Sequence, residues 1–200
     1  MAVIGITGGV ASGKSSFTAR LAPRLAAEVF DADAAARDLL ENDPEAKQKI
    51  ADRLGLELFG ADGRVDRARL REAVFADAEK RSALEAILHP LIRARWTQAA
   101  QAARRNQAWL LVDIPLLFET GAETECDAVV VVACSPATQR ERITTQRGLS
   151  PEMAQKMIAS QTSLASKAAR ADYVIWNDAP VARLEEQAEL LAGYLEKRYG

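Results

Sequence analysis

Two hundred residues, 48% apolar and 27% charged, suit one compact α/β domain with a small insertion and leave ample material for a core. A net charge of −2 and an isoelectric point near 5.6 weigh against nucleic acid as the main partner and leave only small anions to local basic clusters. The two cysteines, Cys126 and Cys134, form no CxxC pair, and no apolar run has the length of a leader core or a membrane span, so a reduced, cytoplasmic protein is expected.

The apolar run Ala2-Val3-Ile4-Gly5-Ile6 predicts a first strand. It enters Gly8-Gly9-Val10-Ala11-Ser12-Gly13-Lys14-Ser15, which reads G-x-x-x-x-G-K-[ST], and then a helical pattern from about Lys14 to Ala27. Glycines let the backbone curl until successive N–H groups point inward at a phosphate chain, and the open helix N-terminus adds to that anion site. Nucleoside triphosphate binding is therefore assigned to Gly8, Gly9, Ala11, Ser12, Gly13, Lys14, Ser15 and Ser16. Lys14 is expected to reach the β- and γ-phosphates and the Ser15 hydroxyl to ligate Mg²⁺.

Glu28-Val29-Phe30 predicts a short second strand ending in Asp31-Ala32-Asp33, where open α/β sheets place their ligands. On an extended backbone Asp31 and Asp33 share a face; one is expected to cap a helix starting near Ala34 and the other to act on substrate. Alternation of strand and helix then stops. Helices are predicted over Ala34–Leu40, Pro44–Leu54, Asp66–Phe75 and Ala78–Arg105, separated by turn signals at Asn42-Asp43-Pro44 and Gly60-Ala61-Asp62-Gly63. This block reads as a helical insertion rich in arginine, with Arg64, Arg67, Arg69, Arg71, Arg93 and Arg95 mostly at solvated positions. His89, in Leu88-His89-Pro90, suits equally a structural histidine beside a Pro-bent helix and a substrate contact.

Ala108–Asp113 predicts the third strand, ending in an acid suited to hold Mg²⁺ through water. Asp127–Cys134, nearly all valine, is a strand buried on both faces. Ser135-Pro136 starts a helix carrying Arg140 and Arg142, with Arg147 beyond, and a second helix is predicted over Pro151–Ser160. The pair reads as a lid bringing guanidinium groups to transferring phosphates. Tyr173–Trp176 is the last strand, Asn177 stands where a base-contacting loop or a turn would lie, and Val181–Tyr199 is a final amphipathic helix.

The plan is a P-loop NTPase α/β/α sandwich with a five-stranded parallel sheet. Residues 1–33, 106–137 and 170–200 form its core, 34–105 an acceptor-binding helical subdomain and 138–169 a lid.

Taken together, Gly5–Ser15, Asp31-Ala32-Asp33, Asp62–Arg67, Leu88-His89-Pro90, Ile114–Glu119 and Ser135–Gln139, in this order, resemble the dephospho-CoA kinase family over nearly the whole chain. The resemblance implies transfer of the γ-phosphoryl of ATP, with Mg²⁺, to the ribose 3′-hydroxyl of dephospho-CoA, giving coenzyme A and ADP. It implies Asp33 as the base, Lys14 with Arg142 and Arg140 at the moving phosphoryl, and Arg64 and His89 on the acceptor side. Ala11 stands where many members carry glycine. A rival kinase for another small acceptor would keep the same core. A GTPase-like switch would need an N-K-x-D motif, which this sequence lacks.

Overall fold

The computed structural model describes residues 1–200. Five strands, β1 (Val3–Gly8), β2 (Glu28–Asp31), β3 (Leu110–Asp113), β4 (Ala128–Ala133) and β5 (Tyr173–Trp176), form one parallel sheet in the order β2-β3-β1-β4-β5. β1 and β4 are buried at every residue, as central strands covered on both faces must be. Nine α-helices accompany them: α1 (Lys14–Arg24), α2 (Ala32–Asn42), α3 (Pro44–Leu54), α4 (Arg67–Ala76), α5 (Ala78–Arg105), α6 (Pro136–Arg147), α7 (Pro151–Ala159), α8 (Leu164–Arg170) and α9 (Val181–Tyr199).

The chain divides into two compact units, residues 1–31 with 98–200, and residues 32–97. In the first, Phe17 and Leu21 of α1 and Leu184, Ala188, Leu191 and Leu195 of α9 pack on Ile4, Ile6, Val130 and Val132 of the sheet. Each buried Phe, Leu, Ile or Val side chain among them contributes roughly 1.5–3 kcal/mol. On its C-terminal edge the sheet reverses its winding between β1 and β4: the chain leaving β1 returns to β2, and that leaving β4 goes on to β5. Doubly wound sheets bind ligands at such a reversal. In the second unit, Ile50, Leu54, Leu58, Leu70 and Ile87 form one cluster, and Leu39, Ala46 and Leu88 another.

Several boundaries depart from expectation for identifiable reasons. α1 stops at Arg24, short of Ala27, because Ala26 turns left-handed (φ 47°) while the Ala27 N–H bonds back to Ala22 O. α5 closes in the same way through Gln107 (φ 50°), with the Ala108 N–H on Ala103 O, so β3 begins at Leu110 rather than Ala108. β4 is one residue shorter at each end than Asp127–Cys134. Asp66 is the cap of α4 rather than its first residue, and α7 ends one residue before Ser160. The helical insertion contains a small non-helical element, an antiparallel bridge between Phe59 and Val65, and α8 was not foreseen as a helix.

The largest consequence falls on Asp33. β2 ends at Asp31 and α2 begins at once, at Ala32, so Asp33 occupies the first helical turn and does not alternate with Asp31 on an extended strand. Alanine at 32, 34, 35 and 36 favours the helix from the outset. Asp31 instead stands in register beside Asp113, at the C-terminal ends of β2 and β3.

Both cysteines are free, and burial pushes the Cys126 thiol up to about 12 and the Cys134 thiol to about 11. They are packing residues.

Candidate active site

Helix caps and the glycine-rich loop together single out α1. The first turns of α3, α4, α6, α7 and α8 are closed by the side chains of Asp43, Asp66, Ser135, Ser150 and Ser163. α1 starts at Lys14 behind Gly13, with no side-chain cap and no acid in its first turn; α9, behind Pro180, is also uncapped, but only α1 follows a glycine-rich loop. The positive dipole end of α1 favours an anion at that loop.

The loop that leads into α1 is fixed by close approach. A Cβ at Gly8 would lie 2.4 Å from the Val132 carbonyl oxygen on the neighbouring strand, and Gly13 has φ 89° with Asn177 Nδ2 where a Cβ would be. Neither position accepts a side chain. Ala11, by contrast, is a non-glycine residue at φ 58°. A left-handed alanine costs about 1–2 kcal/mol, against roughly 0.4–1 kcal/mol of extra unfolded-chain entropy for glycine. Ala11→Gly is therefore expected to raise the unfolding free energy by up to about 1.6 kcal/mol, read from urea midpoints.

Around the loop, polar side chains from residues 139–177 bond its backbone. Gln139 Nε2 donates to Val10 O at 2.8 Å, and Gln161 Oε1 accepts from Val10 N at 2.9 Å. Arg142 donates through Nη1 to Ala11 O and Ser12 O at 3.2 and 3.3 Å, and through Nη2 to Asn177 O at 2.8 Å. Asn177, itself buried, donates from Nδ2 to Ser12 O at 2.8 Å. Lys167 Nζ reaches Gly8 O at 3.3 Å. With the carbonyls of 8, 10, 11 and 12 held from outside, the loop keeps the curvature that an anion nest requires.

Lys14, mostly buried, pairs with Oδ1 of Asp113, whose Oδ2 accepts from Thr18 Oγ1 at 3.2 Å. Ser15 is exposed at the second position of α1. Ser16 Oγ accepts from Arg20 Nη1 at 2.8 Å, and its O–H remains able to donate. Ser12 Oγ is buried without a hydrogen-bond partner. Thus the first unit brings together Gly8, Gly9, Ala11, Ser12, Gly13, Lys14, Ser15, Ser16, Asp113, Arg142 and Asn177.

It separates Arg140 from that group. Two residues along a helix amount to a turn of about 200°, and Arg140 is exposed while Arg142 reaches the loop. Asp33, Arg64 and His89 belong to the other unit. Asp33 is exposed on the first turn of α2. Arg64 is exposed in a turn, with its guanidinium 3.7 Å from Asp62. His89 is half-buried within α5, next to Pro90.

Sequence reasoning passed over Gln139, Gln161 and Lys167. Lys167 is wholly buried, and its ammonium also bonds Pro115 O and Glu119 Oε1, each at 3.0 Å. Burial raises the Glu119 carboxyl, but hydrogen bonds from Lys167 and the backbone N–H of Thr162 outweigh it and hold the group below the usual carboxylate range.

The family model described as dephospho-CoA kinase matches residues 2–183. A dephospho-CoA kinase of Methylococcus capsulatus is 40% identical over 191 residues, spanning 96% of this chain and 95% of that protein. The dephospho-CoA kinase structure from Campylobacter jejuni superposes with a TM-score of 0.74 at 28% identity, over 98% of each chain. Shikimate kinase from Acinetobacter baumannii, at 14% identity and a TM-score of 0.56 over 99% of this chain and 94% of that one, shares the fold.

Proposed function

The chain belongs to the dephospho-CoA kinase family, and from that membership and the loop geometry we infer that it transfers the γ-phosphoryl of ATP to the ribose 3′-hydroxyl of dephospho-CoA, yielding coenzyme A and ADP. The observation that carries the nucleotide half is α1, the helix left uncapped behind a glycine-bound loop with Lys14 in its first turn. Family membership carries the acceptor half.

Phosphoryl transfer asks mainly for positioning and charge neutralisation. Lys14 exchanges Asp113 for the β- and γ-phosphates, and the N–H groups at the start of α1 take the remaining phosphate oxygens. Asp33 orients the ribose hydroxyl and accepts its proton as the oxygen bonds the γ-phosphorus. The bond from γ-phosphorus to the bridging oxygen then breaks, and ADP leaves. Arg142, already at the loop, offsets charge near the phosphates, while Arg140 serves only if residues 138–169 close as a lid. Arg64 and His89 contact the acceptor from the helical unit. Asn177 borders the nucleotide.

Mg²⁺ fits the residues present. The Ser15 hydroxyl and the Asp113 carboxylate are hard oxygen donors, and no group of three or more His, Cys, Asp or Glu side chains forms an all-protein cage. Mg²⁺ characteristically takes one or two protein oxygens and completes its shell with phosphates and water. Ser15 would hold it directly and Asp113 through water, and the ion, when bound, would supply neutralisation of phosphate charge.

The test is ADP release from ATP and Mg²⁺ with dephospho-CoA, beside nucleosides, nucleotides and shikimate. Turnover with dephospho-CoA alone is expected. Turnover only with another acceptor would keep the kinase core and overturn the acceptor assignment.

A further inference from the structure

Lysine is among the residues least often found inside a protein, since taking an unpaired ammonium out of water costs several kcal/mol. Lys167 is completely buried, and the nucleotide contacts assigned above do not use it. Its surroundings satisfy it fully: an ammonium has three N–H donors, and three acceptors surround this one, Gly8 O, Pro115 O and Glu119 Oε1.

Those acceptors mark three different stretches. Gly8 is the last residue of β1 and the entry to the phosphate loop. Pro115 follows Asp113 by two residues on the chain leaving β3, and its carbonyl also accepts from Thr7 Oγ1 at 3.0 Å. Glu119 closes that stretch and accepts from the Thr162 N–H at 3.1 Å, just ahead of α8. One cation therefore ties the exit of β1, the exit of β3 and the start of α8 to a point beneath the loop.

We propose that Lys167 is a positioning residue for the nucleotide: its hydrogen bonds to Gly8 O and Pro115 O hold the entry of the phosphate loop and the strand end that carries Asp113, with Glu119 as counter-ion. The contact with Gly8 matters for a geometric reason. Gly8 already packs against Val132 O on one side, so its peptide plane is fixed by that neighbour and by the ammonium together. Without the ammonium the carbonyl loses its partner in a dry interior, and the peptide must reorient or admit water. Every N–H beyond it in the loop would move with it.

The inference rests on the kinase reading. Its test uses equilibrium nucleotide binding, which needs no acceptor, so a wrong acceptor assignment would leave it standing. Three full-length variants are compared with wild type for Tm and for Kd of a fluorescent ATP analogue with Mg²⁺. Lys167→Met keeps the length and apolar stem but removes the three hydrogen bonds; Kd is expected to rise about 10- to 100-fold, the worth of a hydrogen bond to a charged group, and Tm to fall. Glu119→Gln removes the counter-charge while sparing the bonds to Gly8 and Pro115; Tm is expected to fall with Kd within about threefold of wild type. The double variant removes both charges; Tm should recover relative to Lys167→Met because no unpaired carboxylate remains, yet Kd should stay weak because Gly8 O still lacks its partner. If the double variant regains nucleotide affinity along with Tm, Lys167 is only half of a structural ion pair and the proposal fails. It fails equally if affinity follows Tm across all three variants, or if Lys167→Met binds ATP like wild type.

Discussion

Asp33→Asn is expected to lower kcat by about 10²- to 10⁴-fold, the usual worth of a positioned general base, while the affinity for ATP stays near wild type. Asparagine keeps the shape of the side chain and its ability to accept a hydrogen bond from the ribose hydroxyl, but it cannot take the proton. The fold should hardly notice. Asp33 is exposed, and its main local contribution is a negative charge on the first turn of α2, worth about 0.3–1 kcal/mol at a helix N-terminus. A catalytic defect beside a nearly unchanged Tm would thus isolate the chemistry. Single-turnover phosphoryl transfer with saturating ATP is the decisive measurement, because it removes product release from the rate. A variant that transfers phosphoryl at the wild-type rate would take Asp33 out of the mechanism.

The helical position of Asp33 separates it from Asp31, with which the strand reading had paired it. Had β2 continued to Asp33, Asp31 and Asp33 would have been equivalent candidates on one face. Instead Asp31 lies in register with Asp113 within the sheet, and Asp33 follows it on the first turn of a helix. Its neighbours decide this. A run of alanines leaves no β-branched side chain to prolong the strand.

What could be read from the sequence was local, and what could not was distant. The phosphate loop is eight contiguous residues, and the caps at Asp43, Ser135 and Ser150 each stand directly before a proline at the first helical position. The left-handed helix ends at Ala26 and Gln107 were missed because neither carries the glycine that usually announces such a turn. The belt around the loop was missed because Gln139, Gln161 and Lys167 lie 129 to 159 residues from the backbone groups they bond. A lysine in Leu164-Ala165-Ser166-Lys167-Ala168-Ala169-Arg170 reads as solvated helix surface, since nothing in that heptad shows that Gly8 and Pro115 await it. Arg142 and Arg140 looked interchangeable in composition, and only helical phase separates them.

That belt bears on how the nucleotide is held. Most of the side-chain bonds to the carbonyls of the phosphate loop come from α6, from α8 and from the chain flanking them. Residues after β4 therefore shape the phosphate site as well as flank it. Arg142 is the clearest instance, since three carbonyls occupy its terminal nitrogens and fix the guanidinium beside Ser12 and Asn177.

Lys14→Met should lose at least about 10²- to 10³-fold in kcat/KM, comparable to removing one preorganised donor from a developing negative charge. Its second effect distinguishes it from an ordinary loss of charge. Lys14 and Asp113 form a pair with side-chain exposures of 13% and 6%, and Thr18 Oγ1 is the other group bonded to that carboxylate. Methionine fills the space of the lysine stem but leaves Asp113 as a buried carboxylate without a cation, a change that typically costs about 3–5 kcal/mol. The variant should unfold at lower urea as well as turn over slowly. Adding Asp113→Asn removes the stranded charge and should recover most of the lost stability, but not the activity, since neither the phosphate contact nor the carboxylate for Mg²⁺ returns. The two effects are then assigned separately: stability to the pair, catalysis to the ammonium. A Lys14→Met enzyme with near-normal kcat/KM would deny Lys14 any hold on the transferring phosphates, whatever its stability.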